Sequence, residues 1–493
     1  MSRPLLCATV TAPTMEELRR RRDVVSGADL VELRLDTVRD PDVGAALAGS
    51  ATPVVITCRP SWEGGLFRGG EHERHRILAE AISLGASYVD IEWRAGFDDL
   101  VRRRNGRGIV LSMHEFSGVP ADLAERAAAM RSTGAEVIKI AVHAACLADW
   151  VPLSALTRAA DSKAVVIGMG PAGLPTRVLA ARFGSCWTYA GAAAPGQIPV
   201  SRLLDEFRFR DVSTTTAVYG VAGAPLHHSL SPAMHNASFA AMGFDAVYLL
   251  LHTESAGDFL AFAEAVGLKG ASVTSPLKVG LADRMDRRDS IARRVGAINT
   301  VARSEVGWTG INTDVAGFLE PLAGRLDLAN ARAAILGSGG AARAVAVGLA
   351  SVGAKVSVYA RQPGRAADVA ALAGGKSYTD GPRRGTWDVL VNATPVGTFP
   401  DVGETPIGGS CLDGRLVYDL VYNPAETRLM CEAAAAGCET IGGLDMLVAQ
   451  AELQFALWTG RRPPAGLMRL AALQRLEEFA AESGGRAAHA TAR

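Results

Sequence analysis

Short apolar, β-branched runs recur along the first 211 positions, each bounded by polar or glycine-rich residues: Leu5 to Val10, Leu30 to Leu35, Val54 to Cys58, Tyr88 to Trp93, Ile109 to Met113, Val137 to Val142, Val165 to Met169 and Trp187 to Ala190. Runs of this length read as buried strands. Most are separated by Ala/Leu/Arg/Glu stretches of helical length, such as Met15 to Val25, Glu71 to Leu84 and Ala121 to Ser132, and βα alternation predicts a parallel sheet. Eight strands in this pattern are what a TIM barrel closes with, so residues 1–211 are expected to form one, with function at the C-terminal ends of its strands.

The pattern breaks at Asp211 to Thr216, a polar segment without apolar periodicity, and restarts with a strand at Val218 to Val221. A domain boundary belongs there. Further on, the strand Arg332 to Leu336 runs into Gly337-Ser338-Gly339-Gly340-Ala341-Ala342-Arg343 and then an Ala/Val-rich helix. Glycines that permit close backbone approach, followed by a helix N-terminus, make a turn suited to a dinucleotide pyrophosphate. Glycine clusters also build ordinary loops, so the next strand matters. Lys355 to Tyr359 ends at Ala360-Arg361-Gln362, without the acidic residue that binds a free ribose 2′-hydroxyl. Arg361 points to a 2′-phosphate and hence to NADP, although a solvated surface arginine reads the same way.

Composition narrows the class. A hydrophobic fraction of 48% over 493 residues is enough for several cores, so two or three domains are expected. Lys plus Arg and Asp plus Glu each number 51, leaving no net field to hold nucleic acid or an anionic membrane. The seven cysteines are scattered, without a C-x-x-C pair or a histidine cluster at metal-ligand spacing. A reducing compartment and no metal are expected. The N-terminus MSRPLLCATVTAPT lacks a signal-peptide layout, and no apolar stretch reaches membrane-spanning length, so a cytoplasmic protein is expected.

Polar residues of the first half fall where a barrel places chemistry: Glu32, Arg34 and Asp36 on the second strand, Arg59 and Glu63 after the third, Asp90 and Glu92 on the fourth, His114 after the fifth and Lys139 within the sixth. Lys139 interrupts an apolar strand, where desolvation disfavours the ammonium; a neutral amine attacks ketones to form an iminium. A lysine snorkelling from the strand end is the plainer alternative. His114 at the same rim adds a group suited to proton transfer near neutral pH. In the second half, Ser229 and Ser231 stand just before a helix, a cradle for a small carboxylate or simple capping. The segments Ser272 to Lys278, Gly296 to Thr300 and Gly310 to Asp314 add a lysine, an aspartate, amides and hydroxyls.

The order VELRLD, TCR with Glu63 four residues after Arg59, VDIEW, SMHEF, IKIAV, Thr176-Arg177 before FGS, and APGQ resembles type I 3-dehydroquinate dehydratases across the first half. The resemblance implies that Lys139 forms a Schiff base with the substrate ketone, that His114 moves the adjacent proton, and that Glu92 orients His114. It implies substrate contacts from Glu32, Arg34, Arg59, Arg177 and Gln197. Ala193 stands where that family usually has serine. The segments around Ser229 to Asp314, with GSGGAAR, VNATPVG, VYDLVYNP and GGLDMLVAQAELQF before WTG, resemble shikimate dehydrogenase over nearly all of residues 217–475. That implies Ser229 and Ser231 for the substrate carboxylate, Thr274, Asn299, Asp314, Tyr422 and Gln450 for its hydroxyls, and Lys278 with Asp314 as the proton-transfer pair. NADP would be held by Gly337, Ser338, Gly339, Gly340, Ala341, Arg361, Thr394 and Gly443. Ser272 replaces an asparagine common in single-domain members, and Ala360-Arg361-Gln362 replaces their Asn-Arg-Thr.

The expected organisation is a barrel over 1–211, an open α/β substrate domain over 217–315 completed by 440–475, a Rossmann-like domain over 316–439, and a flexible tail over 476–493. The resemblance implies an enzyme that dehydrates 3-dehydroquinate and reduces the product to shikimate. A quinate/shikimate dehydrogenase with an inactive lyase half, and a metabolite-sensing regulator on the same folds, remain as alternatives. Its partners are the small-molecule substrates.

Overall fold

The computed structural model describes residues 3–158, 163–194 and 196–490. Two compact units form, Met1–Val218 with Asp245–Gly267, and Tyr219–Phe244 with Leu268–Arg493.

In the first unit the eight expected strands are β1 (Leu5–Val10), β2 (Leu30–Arg34), β3 (Val54–Thr57), β4 (Tyr88–Glu92), β5 (Ile109–Glu115), β6 (Val137–His143), β7 (Lys163–Met169) and β8 (Trp187–Ala190). They pair in the order β7-β6-β5-β4-β3-β2-β1-β8, with the β1–β8 pairing bringing the last strand back beside the first. Near-continuous burial along strands such as β3 and β6 is what parallel strands covered on both faces require. Inside, Cys7, Leu30, Val55, Val110, Val137, Val165 and Trp187 form an apolar floor. Two residues further along, where side chains return to the same face, stand Thr9, Glu32, Thr57, Ser112, Lys139, Ile167 and Tyr189. The interior thus turns polar one layer above its floor.

Residues 245–267, expected in the following domain, fall in the first unit, where contacts fix them. The Asp258 carboxylate accepts from the backbone N–H groups of Leu147 and Ala148 at 3.1 and 2.7 Å, and Phe262 meets the Trp150 ring edge-on with centroids 5.8 Å apart.

A second sheet contains β9 (Ala217–Gly223), β10 (Ala246–His252), β11 (Gly270–Val273), β12 (Arg287–Arg288), β13 (Thr300–Ser304) and β14 (Gly307–Ile311), ordered β10-β9-β11-β13-β14-β12. A third contains β15 (Arg332–Leu336), β16 (Lys355–Tyr359), β17 (Lys376–Tyr378), β18 (Val389–Asn392), β19 (Leu416–Asp419) and β20 (Glu439–Ile441). Its order β17-β16-β15-β18-β19-β20 is parallel throughout and reverses direction beside β15, the doubly wound Rossmann topology.

The expected flexible tail needs correction. A helix runs Leu467–Ala490, and Met468, Ala471, Ala472, Arg475 and Phe479 are buried along it. That spacing is one helical face continuing past residue 476. Residues 491–493 lie outside the described residues.

Candidate active sites in the two halves

The barrel cavity is lined by Glu32, Arg34, Arg59, Glu63, His114, Lys139, Arg177 and Gln197, among others. Lys139 is 5% exposed. Its Nζ lies 3.0 Å from Asp90 Oδ2 and 3.4 Å from Glu32 Oε1, and 4.3 Å from the Tyr189 ring centroid. Strand register sets Lys139 beside Ser112 and His114 beside Ala141, so both side chains face inward, His114 one layer nearer the mouth. Arg59 divides its guanidinium between Asp90 at 2.9 Å and Glu92 at 2.7 Å. Arg34 is held bidentately by Asp36, with both bonds at 2.8 Å. Burial opposes ionisation of Asp90, yet Arg59 and Lys139 hold its carboxyl well below the usual range. Glu32 is likewise lowered against its burial, chiefly by Lys139 and Arg34.

The residue that meets His114 is Glu63. Its Oε1 lies 3.0 Å from His114 Nδ1 and accepts the His114 backbone N–H at 2.9 Å. Burial raises the Glu63 carboxyl to about 7, and burial together with Arg59 and Lys139 depresses the imidazole well below its ordinary value. A neutral imidazole is therefore the resting form; where Glu63 is ionised it accepts Nδ1–H and leaves Nε2 unprotonated. Glu92, expected to orient His114, does not contact it. It is paired with Ser112 in register, one layer below His114, and engages Arg59 and the fully buried Arg74. Glu63 reaches His114 because it leaves β3 on the short Ser61–Glu63 turn above the strand ends.

Arg177 is the exception among these cations. It is 2% exposed; its Nη1 donates to the Tyr189 carbonyl at 3.3 Å and its Nε has no partner. Burial pulls the guanidinium down to about 10. A buried guanidinium that faces the cavity and has no carboxylate paired to it is set up to take one from a ligand. Gln197 is turned inward: its Oε1 accepts from Ala193 N and Ala194 N at 2.8 and 3.1 Å. Pro195 of the APGQ motif lies outside the described residues.

In the second unit one cavity gathers Ser229, Ser231, Thr274, Lys278, Asn299, Asp314, Tyr422 and Gln450, with Ala341 and Gly443. Lys278 Nζ donates to Asp314 Oδ2 at 2.6 Å, and Asn299 Nδ2 donates to Asp314 Oδ1 at 2.7 Å. Ser272 is also at the wall, donating to Gln454 Oε1 at 2.7 Å. A separate cavity is lined by Gly337, Ser338, Gly339, Arg361, Arg365 and Thr394. Gly337 has φ +113°, and a Cβ there would meet the Ala393 carbonyl oxygen at 2.8 Å, so this turn requires glycine. Helix Gly340–Ser351 follows directly, and a Cβ on Gly340 would lie 3.1 Å from Lys278 Cδ. The glycine turn thus abuts the lysine of the substrate cavity.

Arg365 was not singled out in the sequence. It lies four residues after Arg361, in the first turn of helix Pro363–Leu372, and both line the same cavity. Arg74 and Asp90 were also passed over as charge partners.

Fold and cavities together define a two-site α/β enzyme. Residues 6–214 match the family type I 3-dehydroquinase, residues 221–301 the shikimate dehydrogenase substrate binding domain, and residues 443–473 the shikimate 5′-dehydrogenase C-terminal domain. The chain is 34% identical to the bifunctional 3-dehydroquinate dehydratase/shikimate dehydrogenase, chloroplastic, of Arabidopsis thaliana, over 94% of this chain and 83% of that protein. It is 42% identical to the shikimate dehydrogenase (NADP(+)) of Moorella thermoacetica, over 56% of this chain and 98% of that protein. A crystal structure of shikimate dehydrogenase in complex with NADP+ superimposes with a TM-score of 0.51 at 33% identity, covering 54% of this chain and 97% of the other. The chain belongs to the bifunctional 3-dehydroquinate dehydratase/shikimate dehydrogenase family.

Proposed function

We propose that the barrel dehydrates 3-dehydroquinate to 3-dehydroshikimate through a Schiff base on Lys139, and that the second unit reduces 3-dehydroshikimate to shikimate with NADPH. The observation that carries the first step is the joint placement, around one cavity, of a buried lysine, a neutral histidine and the carboxylate-free Arg177. Arg177 takes the substrate carboxylate. Lys139 passes its ammonium proton to the adjoining Glu32 carboxylate, 3.4 Å away, and the amine so formed adds to the ketone; water then leaves, giving an iminium that acidifies the neighbouring carbon. His114 Nε2 removes that proton while Glu63 holds Nδ1–H. The enamine electrons expel the β-hydroxyl, to which His114 returns the proton so that it departs as water, and hydrolysis of the imine restores Lys139.

In the second unit Ser229 and Ser231 hold the substrate carboxylate, while Thr274, Asn299, Tyr422 and Gln450 contact the hydroxyls. NADPH, when bound, supplies a hydride to the ketone carbon. The positive-φ Gly337 and the N-terminus of helix Gly340–Ser351 fit a pyrophosphate, and Arg361 with Arg365 fits a 2′-phosphate. Lys278, paired with Asp314, delivers the proton to the ketone oxygen. The barrel domain takes the boundary 1–211, the substrate domain 217–315 with 440–475 in chain order although 245–267 fall in the first compact unit, and the dinucleotide domain 316–439.

Among the described residues no helix is long and apolar enough to cross a membrane. The seven cysteines are free, which supports a reducing compartment such as the cytoplasm. Borohydride added with 3-dehydroquinate tests the lyase reading. Peptide mass analysis should place a reduced adduct on Lys139; an adduct elsewhere, or none in enzyme that still dehydrates, would overturn the mechanism.

A further inference from the structure

Loop residue Gln197 and the Lys139 counter-ion Glu32 are joined through one hydroxyl on the first strand. Thr9 is the register neighbour of Glu32, and its Oγ1 donates to Glu32 Oε2 at 2.9 Å. The same oxygen accepts from Gln197 Nε2 at 3.3 Å. Every direction in this chain is fixed. Gln197 Oε1 already accepts from Ala193 N and Ala194 N, so its amide presents Nε2 to Thr9. Ionised Glu32 only accepts, so the Thr9 hydrogen points to it. On the other oxygen, Glu32 Oε1 accepts from Thr57 Oγ1 at 2.9 Å and faces Lys139 Nζ at 3.4 Å. With a hydroxyl on each oxygen, the plane of the Glu32 carboxylate is set and one edge stays turned to the lysine.

We propose that Thr9 is a positioning residue for dehydration, coupling the seat of Gln197 at the cavity to the aim of Glu32 at Lys139. The coupling matters more in this chain because position 193 is alanine and offers no hydroxyl of its own from the loop. Removing the Thr9 hydroxyl releases both neighbours at once: Gln197 Nε2 loses its acceptor and Glu32 Oε2 its donor. The inference rests on the barrel being the dehydratase, as proposed above.

A double-mutant cycle on full-length protein tests it. Thr9→Val should lower kcat/KM for dehydration roughly ten-fold, through both a raised KM and a lowered kcat, as expected for one or two lost hydrogen bonds. Thr9→Ser, which keeps the hydroxyl, should restore most of the loss. Thr9→Val combined with Gln197→Ala should lose less than the product of the two single losses, because the two share one contact while the Thr9 bond to Glu32 is lost only with the threonine. Reduction of 3-dehydroshikimate by the same preparations should not change. Should Thr9→Val fail to fold, Thr9→Ala carries the same cycle. Losses that multiply, an unaffected Thr9→Val, or no rescue by serine would overturn the proposal while leaving the dehydratase reading intact. Wild type that cannot dehydrate would overturn both.

Discussion

His114 Nδ1 lies 3.0 Å from Glu63 Oε1, and the ionisation of that carboxyl decides which ring nitrogen is the base. Ionised Glu63 accepts Nδ1–H and leaves Nε2 free; protonated Glu63 donates to Nδ1 and puts the ring hydrogen on Nε2. Burial raises Glu63 to about 7, so the base-competent tautomer is lost as pH falls through that value. Dehydration should therefore show an acid limb near pH 7. Glu63→Gln should remove this limb and lower the rate by at least roughly ten-fold. A limb unchanged in the variant would contradict the assignment.

Glu92 has a different part, balancing Arg59 and Arg74 inside the barrel. Truncating one partner of a buried ion pair leaves the other charge uncompensated, typically at about 3–5 kcal/mol. Glu92→Ala should lower the melting temperature of the barrel, measured by calorimetry, much more than Glu63→Gln does. Comparable melting of the two variants would argue against a charge-balancing role.

The eight barrel strands and the Rossmann strands beside Gly337 were legible because burial on both faces imposes short apolar runs bounded by polar residues. Lys139 and His114 were legible as polar groups where the barrel opens. The His114 partner was not: of the two glutamates Glu92 is the nearer in sequence, and only register shows that it stands a layer too low. Arg74 left a readable trace, since it shares a helical face with the buried Ile77, Leu78 and Ala81. The terminal helix was misread because its buried stripe is thin and alanine-rich. Packing of 245–267 with the barrel leaves no local signature at all.

Arg177 should be the carboxylate anchor. Arg177→Lys keeps a cation and loses the fork, so the KM for 3-dehydroquinate should rise by roughly ten-fold or more. Steady-state kinetics would show it, and an unchanged KM would place the carboxylate elsewhere.

NADPH should be preferred over NADH, because a guanidinium on a 2′-phosphate contributes about 1.5–3 kcal/mol. Arg361→Asp should weaken NADPH use and leave NADH use little changed, and Arg365→Ala should act in the same direction. Equal use of both cofactors by the wild type, or a ratio unmoved by either substitution, would make these arginines ordinary surface residues.

Two chemistries on one chain are tested most directly by following 3-dehydroquinate with NADPH to product. Wild type should consume NADPH and release shikimate. Lys139→Ala should make none from 3-dehydroquinate yet still reduce 3-dehydroshikimate, and Lys278→Ala should accumulate 3-dehydroshikimate. Failure of the wild type to form shikimate, or shikimate formed from 3-dehydroquinate by Lys139→Ala, would contradict the account.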